Sequence, residues 1–341
     1  MLTDKKAFDC GPGAAVVVTR GDLVESQHFL CYALAGVDGT VLESRGDIER
    51  PVYLRSSAKP LICTAVVAAG AADRFHFSDE EIALAAGSHG GEPMHVAGVR
   101  SMLQKIGLDE AALRCGAHAP SHEPSAQALC AAGILPSAIH NNCSGKHAGI
   151  LALAVHLGAD PKTYLSPGNP AQVSILNACA ELLGMRREDL VIGVDGCGIP
   201  VIAVPLRIAA RFFARLGQLE KLPQRYHDAL RRVISAMQAH PEYVAGTGRF
   251  DTDLMLAARP DVLCKGGAEG YHASAALQRG LGLTVKVADG NYRAISVFVL
   301  DVLQRAGALN DPQLAQLDKH RHPKVRNHAG SIVGEIDLVT P

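Results

Sequence analysis

Strand-like segments stand at the two ends of this chain and helix-like segments fill its middle. That order constrains the fold more than any other feature, because segments remote in sequence must then share a sheet. Near the start, Ala14-Ala15-Val16-Val17-Val18 is a β-branched run closed by Arg20-Gly21-Asp22. Residues 24–35 carry Val, Phe, Tyr and Leu up to a Gly36-Val37-Asp38-Gly39 turn signal, and Thr40-Val41-Leu42-Glu43-Ser44 follows. An Asp-Gly pair between such runs predicts a hairpin. Ala- and Leu-rich stretches near 79–106, 125–134, 144–158, 170–184 and 217–239 predict helices, with Gly and Pro clusters breaking them. Strand character returns at Leu283-Thr284-Val285-Lys286-Val287. A helix from about Arg293 to Arg305 and a final strand through Ile332-Val333 and Ile336–Val339 complete the pattern. The stretch 308–330, rich in Asn, Asp, Gln, His and Lys, reads as a surface excursion. The expectation is an α+β unit over residues 1–341. Its antiparallel sheet is built from the termini (about 12–54 and 260–341), with a helical region inserted over about 55–259.

With 341 residues the chain is long enough for a sizeable core. Its formal net charge of −1 gives no electrostatic footprint for nucleic acid or an anionic membrane. No run of eighteen apolar residues occurs, and the first ten residues lack the apolar stretch of a signal peptide. Nine cysteines, an odd number spread over the chain, do not form a disulfide framework. These features predict a reduced, cytoplasmic protein without nucleic-acid or membrane partners.

The sharpest local signal is Arg55-Ser56-Ser57-Ala58-Lys59-Pro60, followed by the apolar run Leu61–Ala69. Proline loses nothing in a first helical turn, so Ser56 and Ser57 fall at the start of a buried helix. Ser56 and Lys59, three apart, share one face. A serine hydroxyl is a poor nucleophile until a base takes its proton, and a lysine amine can do so once desolvation lowers its pKa. The bland alternative is a plain helix cap. A second serine sits in Gly87-Ser88-His89-Gly90-Gly91, where glycines permit close backbone approach. Its upstream segment looks helical, which argues against a strand-borne nucleophile elbow. Downstream, Lys265-Gly266-Gly267 offers a lysine after an apolar stretch, in the order seen in penicillin-recognising serine enzymes.

Asn142-Cys143-Ser144-Gly145-Lys146-His147 and Asp195-Gly196-Cys197-Gly198 each place a cysteine in a turn. Two thiolates are half of a tetrahedral zinc site. From spacing alone the third ligand is His147, since lysine serves only as a neutral amine; the alternative is two small buried hydrophobes.

Together with Arg20-Gly21 and Val24-Glu25-Ser26, these segments resemble the class 3, rhizobial-type L-asparaginases, in family order from about residue 12 to the C-terminus. The resemblance implies a serine β-lactamase-like fold, usually in a homodimer, hydrolysing L-asparagine to aspartate and ammonia. It implies two serine–lysine pairs, Ser56 with Lys59 and Ser88 with Lys265, of which Ser56 with Lys59 is expected to be primary. It also implies zinc on Cys143, Lys146 and Cys197, with Asp195 beside Lys146. On this reading His147 moves from the metal to the substrate, with Arg55, Asp195 and Gly266. Rival readings are a serine-dependent glutaminase, a penicillin-binding or esterase-type hydrolase, and a zinc-stabilised binding module with both serines as caps. The Thr-Gly-Gly-Thr signature of a threonine-dependent asparaginase is absent.

Overall fold

The computed structural model describes residues 7–339, so the reading of the first six residues lies outside it. Five strands open the chain: β1 (Val16–Arg20), β2 (Leu23–His28), β3 (Leu30–Gly36), β4 (Val41–Arg45) and β5 (Pro51–Tyr53). Two lie mid-chain, β6 (Val191–Val194) and β7 (Pro200–Pro205). Five close it: β8 (Val262–Gly267), β9 (Tyr271–Ala276), β10 (Leu281–Val287), β11 (Lys324–Arg326) and β12 (Ile332–Leu338). The chain divides into two compact units, 1–52 with 204–217 and 266–341, and 53–203 with 218–265.

In the first unit the two ends of the chain do share a sheet. β12 lies antiparallel to β1, with Val16 opposite Leu338, in a four-stranded sheet ordered β11-β12-β1-β2. A single terminal sheet was expected, and here the structure differs. The stretch 24–35, read as continuous, breaks at Phe29, and β3 leaves for a second sheet ordered β4-β3-β10-β9-β8. Its strands β3, β9 and β10 are buried along nearly their whole length, as strands covered on both faces must be. The helix Leu206–Arg215 packs on β3 and β10. It buries Leu206, Ala209, Ala210, Phe212 and Phe213, while Arg207, Arg211 and Arg215, four apart, form its half-exposed stripe. Residues 308–330 are more ordered than a surface excursion. They form two short helices, Asp311–Gln316 and Asp318–Arg321, with Leu314 and Leu317 buried, and then β11.

The second unit holds most of the helices. Lys59–Ala68 is buried from Lys59 to Val67 and packs against Ser144–His156, Pro170–Leu183 and His227–Ala239. Each fully buried Leu, Ile or Val of such a helix contributes about 1.5–3 kcal/mol. Two predicted helices are interrupted. Residues 79–106 split into Asp79–Ala85 and Pro93–Lys105, because Gly87 and the Gly90-Gly91 pair release the chain between them. Residues 217–239 yield only His227–Ala239, preceded by short turns around Pro223.

The contact of β10 with the helix Leu206–Arg215 generates a stability test. A Cβ on Gly282 would lie 2.0 Å from the Ala210 carbonyl oxygen and 2.4 Å from the Ala214 nitrogen. Gly282→Ala therefore has to push backbone from backbone, and we expect a loss of about 3 kcal/mol or more, read by urea unfolding. A variant within about 0.5 kcal/mol of the parent contradicts this packing.

Candidate active site

Lys59 stands where a short 3₁₀ turn, Arg55–Ala58, passes into the buried helix. The junction brings the side chain inward, and Lys59 is 1% exposed. Its amine lies 2.6 Å from the Gly87 carbonyl oxygen, 2.8 Å from Ser88 Oγ and 3.3 Å from the Asn142 carbonyl oxygen. Burial pushes its pKa down to about 8, aided by the like charges of Lys146 and Lys265 and opposed by Cys143 and Cys197. A neutral amine has two N–H groups and one lone pair. As an ammonium Lys59 donates to all three oxygens; once neutral, its two N–H groups stay with the two carbonyls and the lone pair is left to accept the Ser88 hydroxyl proton.

The serine on Lys59 thus differs from the expected pairing. Ser88 arrives from the loop after Asp79–Ala85, and only glycine at 87 lets it do so. A Cβ there would meet the Tyr243 carbonyl oxygen at 2.6 Å. The Ser88 N–H then donates to the Val244 carbonyl at 2.6 Å. His89 fixes the other side. The Ser144 hydroxyl donates to the Ile139 carbonyl at 2.8 Å, so it accepts from His89 Nε2 at 2.9 Å. The Gly91 N–H donates to His89 Nδ1 at 3.2 Å. A neutral imidazole meets both demands, and burial holds His89 well below its ordinary pKa.

Ser56 lies half-buried on the 3₁₀ turn, and its neighbour Ser57 is fully buried, donating to the Lys265 carbonyl at 2.6 Å. Lys265 sits on β8, 1% exposed, with its amine 3.7 Å from the Asp251 carboxylate. Burial lowers its pKa against the pull of Asp251. Gly266, the next residue of the strand, is buried where the chain passes into the other unit.

Arg55 has φ of +50°, in the left-handed region that a side chain seldom adopts. Its Nε donates to Asp195 Oδ1 at 2.8 Å. Burial works to raise the Asp195 pKa, but the charges of Lys146 and Arg55 hold it below the ordinary carboxylate value. Arg55, Lys59, Lys146 and Asp195 line one cavity together with Gln172.

Cys143, Lys146 and Cys197 are all buried and meet. The Lys146 amine is 2.9 Å from Cys197 Sγ, and Cys197 Sγ lies 4.0 Å from Asp195 Oδ2. A hydrogen bond from Cys197 holds the Cys143 thiol well below its ordinary pKa against burial, with help from Lys146 and Lys59. Two sulfurs and an amine within reach of one another fit a zinc-like ion by their donor chemistry. Lys146 must release its proton to serve as a ligand.

His147 stands apart from that set. The Tyr164 hydroxyl accepts the Arg114 N–H at 2.8 Å, and among the described residues its own proton has His147 Nδ1, at 2.6 Å, as its one acceptor, so it donates there. Nε2 therefore carries the imidazole proton, buried and with no hydrogen-bond partner among the described residues. Burial holds the ring neutral, well below its ordinary pKa. Neither Tyr164 nor the Gly87 and Asn142 carbonyls carry a signal in the sequence. Only the glycine beside Ser88 hints at the close approach.

A profile of the L-asparaginase II family matches residues 16–338. The chain belongs to the L-asparaginase II family. Membership of this family supports a hydrolase of the amidohydrolase kind. Among curated proteins no significant match is found. Solved structures similar to this family member include Mglu in its native form. That pair is 17% identical over 82% of this chain and 61% of the other, with a TM-score of 0.37. The chain thus spans less than two thirds of that protein's length. A β-lactamase from Mycobacterium bovis is 16% identical over 86% of this chain and 95% of that one, with a TM-score of 0.38. Likenesses this distant say nothing about chemistry. Among the described residues no helix is long and apolar enough to cross a membrane.

The Tyr164 hydroxyl satisfies two groups at once, which gives a direct test. Tyr164→Phe removes the partner of both His147 Nδ1 and the Arg114 N–H, and should destabilise the protein by about 1–3 kcal/mol in chemical unfolding. An unchanged midpoint would mean that the hydroxyl is not the shared partner.

Proposed function

We propose that this protein hydrolyses the side-chain amide of L-asparagine, with Ser88 as nucleophile and Lys59 as its base. The contact that carries the reading is the 2.8 Å hydrogen bond between the buried Lys59 amine and Ser88 Oγ. The Ser88 proton passes to Lys59 Nζ as Oγ attacks the amide carbon. The same proton then goes to the departing nitrogen, and ammonia leaves an aspartyl ester on Ser88. Water, deprotonated by Lys59, cleaves that ester to aspartate and restores the serine. Arg55 and Asp195, opposite charges on one cavity, suit the α-carboxylate and α-ammonium of a free amino acid. The Nε2–H of His147, without a partner among the described residues, can donate to a substrate carbonyl or carboxylate. Gly266, beside Lys265, belongs to the same proposal as a backbone contact.

Cys143, Lys146 and Cys197 would hold zinc; when bound, the ion supplies fixed positive charge that orients the polar end of the substrate. Discrimination against L-glutamine rests on one methylene, worth about 1–3 kcal/mol, so glutamine is the natural competitor. Ser56 supports a second assignment, because it lies three residues before Lys59 on a 3₁₀ turn, where such positions nearly eclipse. The homodimer and a cytoplasmic setting remain part of the proposal.

Purified protein should release ammonia from L-asparagine faster than from L-glutamine. Ser88→Ala should lower kcat by a factor of about 10³ or more, the scale of losing an activated nucleophile. A Ser88→Ala variant with near-parent turnover, alongside an inactive Ser56→Ala, would transfer the nucleophile to Ser56. No ammonia from either amino acid in a folded sample would overturn the asparaginase reading.

The metal proposal has its own readout. Elemental analysis should find about one zinc per chain, and Cys197→Ser should lower that occupancy at least tenfold under dilute chelator. Equal zinc in parent and variant would remove Cys197 from the ligand set.

A further inference from the structure

The sulfurs of Cys10 and Cys31 lie 3.2 Å apart, 21 positions from each other in the chain, and neither belongs to the site described above. Most of the other cysteines have simpler surroundings. Cys143 and Cys197 sit together near Lys146, while Cys63, Cys115 and Cys264 each direct the thiol at a backbone carbonyl and meet no second sulfur there; Cys31 reaches both the Asp9 carbonyl at 3.3 Å and Cys10. From this separation a disulfide bond of about 2.05 Å needs a closing movement of roughly one ångström.

The meeting is held in place by hydrogen bonds to the backbone carbonyls of residues 7–10. The Asp47 N–H donates to the Asp9 carbonyl at 2.8 Å, Arg45 Nε to the Cys10 carbonyl at 2.9 Å, and Arg50 to the Ala7 carbonyl at 2.9 Å. Gly46, at φ +71°, lets these segments touch: a Cβ there would lie 2.5 Å from the Asp9 oxygen and 2.7 Å from Cys31 Sγ. Cys31 is fixed on β3, opposite Lys286 of β10. Residues 7–11 are therefore strapped onto the β3–β4 edge with Cys10 aimed at Cys31.

Access is unequal between the two thiols. Cys10 lines a surface hollow with Phe8, Asp9, Gly11, Phe29 and Ala288, whereas Cys31 does not. The Lys286 amine, on the residue opposite Cys31, is held by the Glu269 and Val287 carbonyls at 2.6 and 2.7 Å. Cys10, at the wall of the hollow, is therefore the sulfur that meets a dissolved oxidant first, while burial pushes the Cys31 thiol up to about 12.

We infer that Cys10 and Cys31 form a redox modification site, at which a peroxide converts the two thiols to a disulfide tying residues 7–11 to β3. The Cys10 thiolate attacks one peroxide oxygen, giving a sulfenic acid and releasing hydroxide. The Cys31 sulfur then attacks the Cys10 sulfur. The S–S bond forms as the S–O bond breaks, and the departing hydroxide takes the Cys31 proton to leave water. Overall, two thiols and one hydrogen peroxide give one disulfide and two waters. The inference does not depend on the asparaginase reading.

The test treats the full-length protein with hydrogen peroxide, alkylates remaining thiols after unfolding, and maps peptides by mass spectrometry. The expected result is a linked pair of peptides carrying Cys10 and Cys31, reversed by dithiothreitol. Cys31→Ser should lose the link and accumulate a dimedone-reactive sulfenic acid at Cys10. Oxidation should also raise the thermal midpoint by a few degrees in the parent and not in Cys10→Ser. Both cysteines fully alkylated after treatment, or Cys10 carried to sulfinic acid without a link, would overturn the proposal.

Discussion

The burial of the Lys59 amine among three oxygen atoms is the constraint on which the candidate site depends. An ammonium with 1% exposure is costly, and the protein meets that cost by lowering the pKa and placing acceptors at 2.6, 2.8 and 3.3 Å. Each acceptor comes from a different stretch of chain. The helix Lys59–Ala68 carries the lysine, the loop after Asp79–Ala85 carries Gly87 and Ser88, and Asn142 precedes Cys143. These segments must therefore stay in register. His89 on Ser144 and Ser88 N–H on Val244 are the bonds that keep them so.

Charge in the same region is arranged in pairs rather than singly. Arg55 faces Asp195, Lys265 faces Asp251, and Lys146 faces Cys197. A buried cation beside an anion or thiol keeps its charge at less cost, whereas at Lys59 burial and the like charges of Lys146 and Lys265 outweigh the pull of Cys143 and Cys197. That contrast separates the amine suited to accept a proton from those suited to hold one.

Some of this was legible in the sequence. The terminal strands were, because alternation and β-branched runs survive at both ends and β1 pairs with β12. The split at Phe29 was not: residues 24–35 read as one stretch, and nothing local reveals that β2 joins β1 while β3 joins β10. Cys143, Lys146, Cys197 and Asp195 stood out in glycine-flanked turns, and the structure brings them together. The partner of Lys59 did not stand out. Spacing sees only the serine three residues away on the same turn, whereas Ser88 arrives from 29 residues downstream through a backbone contact at Gly87. Tyr164, which sets the proton of His147, lies in a loop with no motif around it. Tertiary partners of buried polar groups are what pattern reading misses.

The most direct measurement of the central claim is the location of the acyl group during turnover. Rapid acid quench of protein mixed with excess L-asparagine, followed by peptide mapping, should find an aspartyl ester on the peptide carrying Ser88. An ester on the peptide carrying Ser56, with Ser88 unmodified, would contradict the assignment of Lys59 to Ser88.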